Sequence, residues 1–363
     1  MSVNPRQTNL FEFAFSKSGG SRSRDVPRQQ NQQQQASTQS PNPSSPAQSS
    51  SSATTNTTTT NINTTTSSSQ PRSRRGGGDR SNPSLASVSA ETRAVLPKIL
   101  AYLPHLDASS SEALHIDHLP PLRSSGCPSH APRATIRIVN ADSLNAAIDL
   151  AALRPHAGRV AVLNMASDIR PGGGWLKGAV AQEEALCYRS SLHLSLHDRY
   201  YPLRRRGGLY SPDVLVIRAD MASGHALLVP PVPPVDLPVV SVLSVAAIRR
   251  PELKKRQVAA AAAGGGGEEW EFARPADRAL TKDKMRLCLR MAASRGHGLL
   301  VLGALGCGAF HNPPGEVAQC WREVLVEAEF SGGWWTEIWF AVYDRRNEGN
   351  FEVFDEVLGG LQV

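Results

Sequence analysis

Six short runs rich in Val, Ile and Leu, interleaved with segments of helical periodicity, constrain this chain more than any other feature. They are "ATIRIV" (134–139), "RVAVLN" (159–164), "DVLVIR" (213–218), "VVSVLSV" (239–245), "GLLVLG" (298–303) and "EIWFAV" (337–342). Helical patterns are read at 91–103, 141–152, 178–196, 281–295, 314–329 and 350–358. Continuous apolar runs suit strands buried on both faces. Strands separated by helices indicate an α/β sheet between helix layers. Ligands of such sheets bind beyond the carboxyl ends of strands. Loops 164–174 and 303–310, each following a strand, are therefore expected to meet in one cleft.

The rest of the chain reads differently. Between positions 29 and 71 there is no charged residue and almost no apolar one. Such a segment cannot bury enough surface to offset its ordering entropy. Residues 1–85 are expected to be a disordered basic tail, with nine Lys/Arg against three Asp/Glu. That tail accounts for nearly all of the formal net charge of +7. The high pI therefore does not mark the folded part, expected at 86–363, as a nucleic-acid surface. A second low-complexity stretch, "AAAAAGGGGEE", places a flexible insertion at about 249–280. The five cysteines are odd in number and show no CxxC pair, which suits a reduced intracellular protein without a zinc site. A nuclear or nucleo-cytoplasmic location is expected, and a monomer. The most apolar stretch, 226–248, carries five prolines and is no membrane span.

Chemistry concentrates in "NMASDIRPGGGWLKGAVAQEEALCYRSSL", which begins at Asn164. Gly172, Gly173 and Gly174 follow a strand and lead towards a helix. Free amides in such a place hold a diphosphate; the alternative is a flexible turn. Glu183 and Glu184 project about 100° apart on a helix, so one can face a cleft while the other braces it. Their plainer reading is a pair of acids favoured at a helix N-terminus. "HLSLH" sets His193 and His197 four apart on the expected helix; without a third ligand, packing is expected rather than a metal site. Cys307 lacks a partner base and reads as a packed residue. Trp334 and Trp335 read as core or rim. "RRRGG" (204–208) could meet a polyanionic polymer, and reads first as a solvated loop.

Six ordered blocks carry a family resemblance: "LNMAS", "PGGGWLKGAVAQEEALCYRSSL", "YSPDVLVIR", "VVSVLSVAAIRRPEL", "LVLGALGCGAFHNPPGEVAQ" and "WFAVYD" followed by "NFEVF". From about Glu91 to Phe354 the chain resembles the microbial-type poly(ADP-ribose) glycohydrolases (PARGs). The resemblance implies a macrodomain-like mixed sheet sandwiched between helices, with an N-terminal helical extension and ADP-ribose at the strand ends. It implies that Glu184 is the catalytic acid and that Glu183 positions the scissile ribose. Gln182 completes the signature and is placed among the substrate contacts. Asn164 falls where the family holds the distal ribose, and Met165 stands where the family usually has Phe. The triple glycine and the loop Gly306, Cys307, Gly308, Ala309, Phe310 would wrap the diphosphate, with Phe310 packing on the distal ribose. Asp142 is a candidate adenine contact; the alternative is a helix N-cap.

The implied reaction cleaves a ribose–ribose O-glycosidic bond, using a glutamic acid to protonate the leaving oxygen and then to activate water. Glu184 would need a pKa raised by burial and by Glu183. No metal and no cofactor are implied. The substrate would be poly(ADP-ribose) or ADP-ribosylated protein, in the setting of the DNA damage response. Two other functions compete: a hydrolase of terminal or single ADP-ribose units, and an ADP-ribose-binding domain without catalysis. In the tail, "QTNLFEFAF" (7–15) has Gln7, Leu10 and Phe13 at the spacing of sliding-clamp docking peptides, with Phe15 one place late. Clamp docking, or docking elsewhere through this peptide, is the expectation there.

Overall fold

The computed structural model describes residues 84–258 and 267–363. The expected disordered tail, its docking peptide and the alanine–glycine stretch lie outside the described residues, apart from their ends. Helix α1 (Leu85–Leu100) opens the described chain, capped by the Ser84 side chain, which accepts from the Ser87 amide. Strands β1 (Glu112–His115) and β2 (Ile136–Val139) flank an irregular stretch, and α2 (Ser143–Leu153) leads to β3 (Val160–Met165). Then come α3 (Gln182–Arg189), β4 (Gly207–Leu215), β5 (Val239–Val245), β6 (Leu253–Val258) and β7 (Gly267–Phe272). Helix α4 (Pro275–Ser294), β8 (Leu299–Leu302), α5 (Pro314–Leu325), β9 (Glu337–Ala341) and α6 (Asn350–Leu358) complete the chain.

Seven strands form one sheet in the order β1-β4-β5-β3-β8-β9-β2. The five from β5 to β2 are mutually parallel, and β4 is antiparallel to β5. Successive side chains of a strand point to opposite faces. In β3, Ala161 and Leu163 join a core with Met285 and Leu289 of α4 and Trp321 of α5. Val160 and Val162 join the opposite core with Leu144 and Leu150 of α2 and Leu186 of α3. Burial on both faces is why the strands read as unbroken apolar runs. Trp335 lies fully in the first of these cores. All five cysteines are free. No helix among the described residues is long and apolar enough to cross a membrane.

Four expectations are corrected. The helix read at 178–196 spans only Gln182–Arg189, because Gly178 turns left-handed at φ 84° and Ser190 is extended. His193 and His197 therefore do not share a helix face; His193 lies in a one-turn 3-10 helix, and His197 is extended at the N-cap of the next. Strand β4 starts at Gly207, not at 213. Its first half, "GGLYSP", is poor in strand formers, yet Gly208 belongs there, since a Cβ would stand 2.9 Å from the Ser244 carbonyl of β5. The insertion read as flexible at 249–280 holds an antiparallel pair, β6 with β7, and the first turns of α4. Lys254 and Arg256 of β6 pair there with Glu269 and Glu271 of β7, a cross-strand pattern of opposite charges.

Candidate active site

The carboxyl ends of β3, β5 and β8 bring both glycine-bearing loops to one rim of the sheet, as the strand pattern requires. At the end of β3, Asn164 is fully buried. Its Nδ2 donates to Ser244 Oγ of β5 at 3.0 Å and to Glu183 Oε1 at 3.3 Å. The Ser167 amide donates to Glu183 Oε2 at 2.8 Å. Both oxygens of Glu183 are thus held, and the residue is 3% exposed. Burial pushes its carboxyl up to about 8, against the pull of the Ser167 and Asn164 hydrogen bonds and with the help of the nearby Glu184 charge. Desolvation wins because a buried carboxylate loses more hydration than two donors return.

Glu184 sits beside it, 8% exposed. Its Oε1 accepts from the Gly174 amide at 2.8 Å. Among the described residues its Oε2 makes no hydrogen bond. The adjacent glutamates therefore differ as helix geometry demands: one is clamped at both oxygens, the other at one.

The triple glycine does not offer three free amides. Gly174 donates to Glu184, Gly173 donates to the Arg170 carbonyl at 3.1 Å, and the Gly172 amide faces Glu183. What the glycines provide is close approach. Gly173 has φ 59°, and a Cβ there would collide with Glu184 Oε1 and come within 3.2 Å of Glu183 Oε2. Gly172 has φ 66°, and a Cβ there would strike the Trp175 ring. Trp175 is buried and meets the His193 ring at 4.7 Å and Tyr188 at 6.1 Å. His193 thus serves packing; burial first, then Arg93, pushes its imidazole down to about 4. His197 meets the Ser109 carbonyl through Nε2 at 2.9 Å.

The free amides lie in the second loop. Among the described residues, the amides of Gly308, Ala309 and Phe310 donate no hydrogen bond. Space around Gly308 is open, with no atom within 4 Å of a Cβ built there. The loop is held instead by Asn312, which is 2% exposed. Its Nδ2 reaches the carbonyls of Ile248 at 2.7 Å, Gly306 at 3.2 Å and Phe310 at 3.4 Å. Gly306, at φ 82°, lets the chain pass Ala247 and Asn312. The Arg250 amide donates to the Phe310 carbonyl at 2.8 Å, and the Arg249 guanidinium lies 5.6 Å from the Phe310 ring centre. Burial pushes the Cys307 thiol well up, which suits a packed residue rather than a nucleophile.

Two expected ligand contacts have other duties. Gln182 accepts from the Met165 amide at 2.9 Å and donates to the Leu163 carbonyl at 2.7 Å and Ser143 Oγ at 3.1 Å. Both ends of its amide are committed, so it ties the start of α3 to β3 rather than facing a ligand. Asp142 is the N-cap of α2, accepting from the Leu144 and Asn145 amides at 2.8 and 3.4 Å. The same oxygen receives the buried guanidinium of Arg189, whose other arm donates to Asn145 Oδ1 at 2.7 Å. Sequence reasoning missed Ser167, Ser244, Asn312 and Arg189. Only Ser244 left a trace, as a polar residue inside an apolar strand.

The microbial-type PARG catalytic domain is matched over residues 15–219. No curated protein matches the chain. Among solved structures, the poly(ADP-ribose) glycohydrolase of Thermomonospora curvata is 26% identical, with a TM-score of 0.59, covering 75% of this chain and 98% of that one. Its complex with the inhibitor ADP-HPD gives 25% identity and a TM-score of 0.57 over the same shares. The Deinococcus radiodurans glycohydrolase in complex with ADP-ribose is 28% identical, with a TM-score of 0.54, covering 72% of this chain and 98% of that one. The fold, the paired glutamates and the matched domain agree: the chain belongs to the microbial-type poly(ADP-ribose) glycohydrolase catalytic-domain family, enzymes that act on glycosidic bonds.

Proposed function

We propose that this enzyme hydrolyses the ribose–ribose O-glycosidic bonds of poly(ADP-ribose) and releases ADP-ribose, with Glu184 moving the proton. The observation that carries the reading is the unequal fixing of two adjacent buried carboxyls. Glu183 is held by Ser167 and Asn164, whereas Glu184 keeps one oxygen unengaged. Burial raises the Glu183 carboxyl to about 8, which leaves it protonated at neutral pH next to Glu184.

In the reaction, Glu184 gives its proton to the leaving ribose oxygen as the anomeric C–O bond breaks. Positive charge develops on the departing ribosyl carbon. Glu184, now a carboxylate, takes a proton from water while the water oxygen bonds to that carbon. The products are ADP-ribose and a polymer one unit shorter. The free amides at Gly308, Ala309 and Phe310 suit the diphosphate, since backbone donors fixed before binding cost little reorganisation. Asn164 and Phe310 would border the distal ribose. Asn164 Oδ1 is buried with no partner, an acceptor ready for a ribose hydroxyl. The Asp142 carboxylate remains the candidate for adenine, through the oxygen not used in capping.

The deciding experiment incubates the full chain with poly(ADP-ribosyl)ated and mono(ADP-ribosyl)ated protein and identifies the products. Free ADP-ribose from the polymer, with the protein-linked unit left in place, is expected. Release of single linked units alone would make it a mono-ADP-ribosyl hydrolase. Binding without release would make it a binding domain.

A further inference from the structure

The "RRRGG" loop lies on the same rim as the glutamates. Because β4 is antiparallel to β5, with Leu209 opposite Ser244, its first residue stands at the carboxyl end of β5. The Leu203 amide donates to the Asp168 carbonyl at 2.8 Å, one residue beyond the Ser167 amide that holds Glu183. From there the chain runs against the first half of α4. The buried amine of Lys284 donates to the Arg205 carbonyl at 2.5 Å. Arg206 pairs with Asp117 at 2.8 Å and Asp283 at 3.2 Å.

Between this loop and α4 runs a groove of about 420 Å³, lined by Arg205, Arg206, Ala276, Ala279, Leu280 and Asp283. Its floor is small and apolar, which suits the face of a nucleobase. Its wall carries the guanidinium fork of Arg205, whose planar donors match phosphate oxygens, beside Arg206, which is held by Asp117 and Asp283. The Arg205 side chain is 72% exposed, and its ion pair with Asp277 spans 3.7 Å, too long for a hydrogen bond. Arg206 Nε is buried with no partner. The one lining carboxylate, Asp283, is taken by Arg206 and Arg286. An aromatic base joined to a diphosphate satisfies both surfaces at once.

We propose that this groove binds the ADP-ribose unit on the far side of the scissile bond, its base over Ala276 and Ala279 and its diphosphate on Arg205. The inference rests on the poly(ADP-ribose) reading above. On that reading a single ADP-ribose ends at the scissile ribose. Only a polymer continues past the Ser167–Asp168 turn to the arginines, so the groove separates polymer from monomer.

The test uses the full-length Glu184→Gln protein, which binds without turnover. Calorimetry compares free ADP-ribose with an ADP-ribose oligomer of defined length, before and after adding Arg205→Gln or Ala279→Glu. Both added changes fall on exposed side chains. Each should weaken oligomer binding about five- to tenfold, as loss of one charge-assisted contact does, and leave ADP-ribose affinity within about twofold. Arg205→Gln should also flatten the salt dependence of oligomer binding by nearly one phosphate contact, a slope change of about 0.7. Unchanged oligomer affinity, or an equal loss for monomer and oligomer, would overturn the groove. If the Glu184→Gln parent binds neither ligand, the poly(ADP-ribose) reading itself fails, and the groove assignment with it.

Discussion

Two glycine-bearing loops meet at the rim of the sheet, and they are built on opposite plans. The loop after β3 spends its glycine amides on its own glutamates and its own turn. The loop after β8 is pinned through carbonyls by one side chain, Asn312, and keeps its amides free. In the first, glycine is needed because a carboxylate occupies the space of a Cβ. In the second, a Cβ at Gly308 would meet no atom within 4 Å. One loop packs onto the paired carboxyls and the other leaves three amides open, although the two look alike as strings of letters.

Several substitutions would break or sharpen this contrast. The largest effect is expected at Glu184. Glu184→Gln can keep the Gly174 hydrogen bond but loses the transferable proton, so polymer turnover should fall by about 10²–10⁴. ADP-ribose affinity measured by calorimetry should stay within a few-fold. Turnover above about a tenth of wild type would remove Glu184 from the role.

Gly173→Ala should come next. It forces alanine to φ 59° against Glu184, a left-handed conformation that costs about 1–2 kcal/mol, and it displaces the acid. Lower thermal stability and at least tenfold lower turnover are expected. Gly308→Ala is its counterpart and should leave folding stability nearly unchanged, within about 0.5 kcal/mol, while weakening ADP-ribose binding. Equal behaviour of the two variants would erase the distinction between the loops.

Asn312→Ala should cost about 1–3 kcal/mol, because three loop carbonyls lose their common donor. ADP-ribose affinity should drop with it, and the Glu183–Glu184 loop should keep its hydrogen-exchange protection. Spread of the loosening into residues 172–174 would show that the loops are coupled.

A further effect is a pH dependence of stability. Glu183 is raised from 4.5 to about 8, so the folded state binds the extra proton between those values. Its contribution is fully present below about 4.5 and is lost as pH rises through about 8. The melting-temperature difference between wild type and Glu183→Gln should therefore move in favour of the variant across that window. A flat difference would mean that burial does not hold the proton on Glu183.

Much of this was legible in the sequence, and the misses follow from identifiable causes. The β3, β5, β8 and β9 runs showed because both faces of those strands are buried. The start of β4 was hidden because its glycines answer to a neighbouring strand, not to local propensity. The β6–β7 pair was hidden by low-complexity letters beside it. Gln182 was placed among ligand contacts because it belongs to the signature, yet its amide bridges β3 and α2.

By itself the sequence determined the alternation of strands and helices, and hence that loops after β3 and β8 share a rim. It also determined that two adjacent glutamates stand at the start of a helix. Those properties depend on periodicity and on residues close together along the chain. Only the tertiary structure decided which glutamate is clamped and which glycine amides remain free. It also decided that Arg205 and Arg206 flank a groove. These outcomes depend on hydrogen bonds to distant partners: Ser244 lies 80 residues from the Asn164 it orients, and Arg205 lies 79 from the lysine that holds its carbonyl. A buried donor or acceptor takes whichever partner the fold brings within about 3 Å, and no local pattern records that choice.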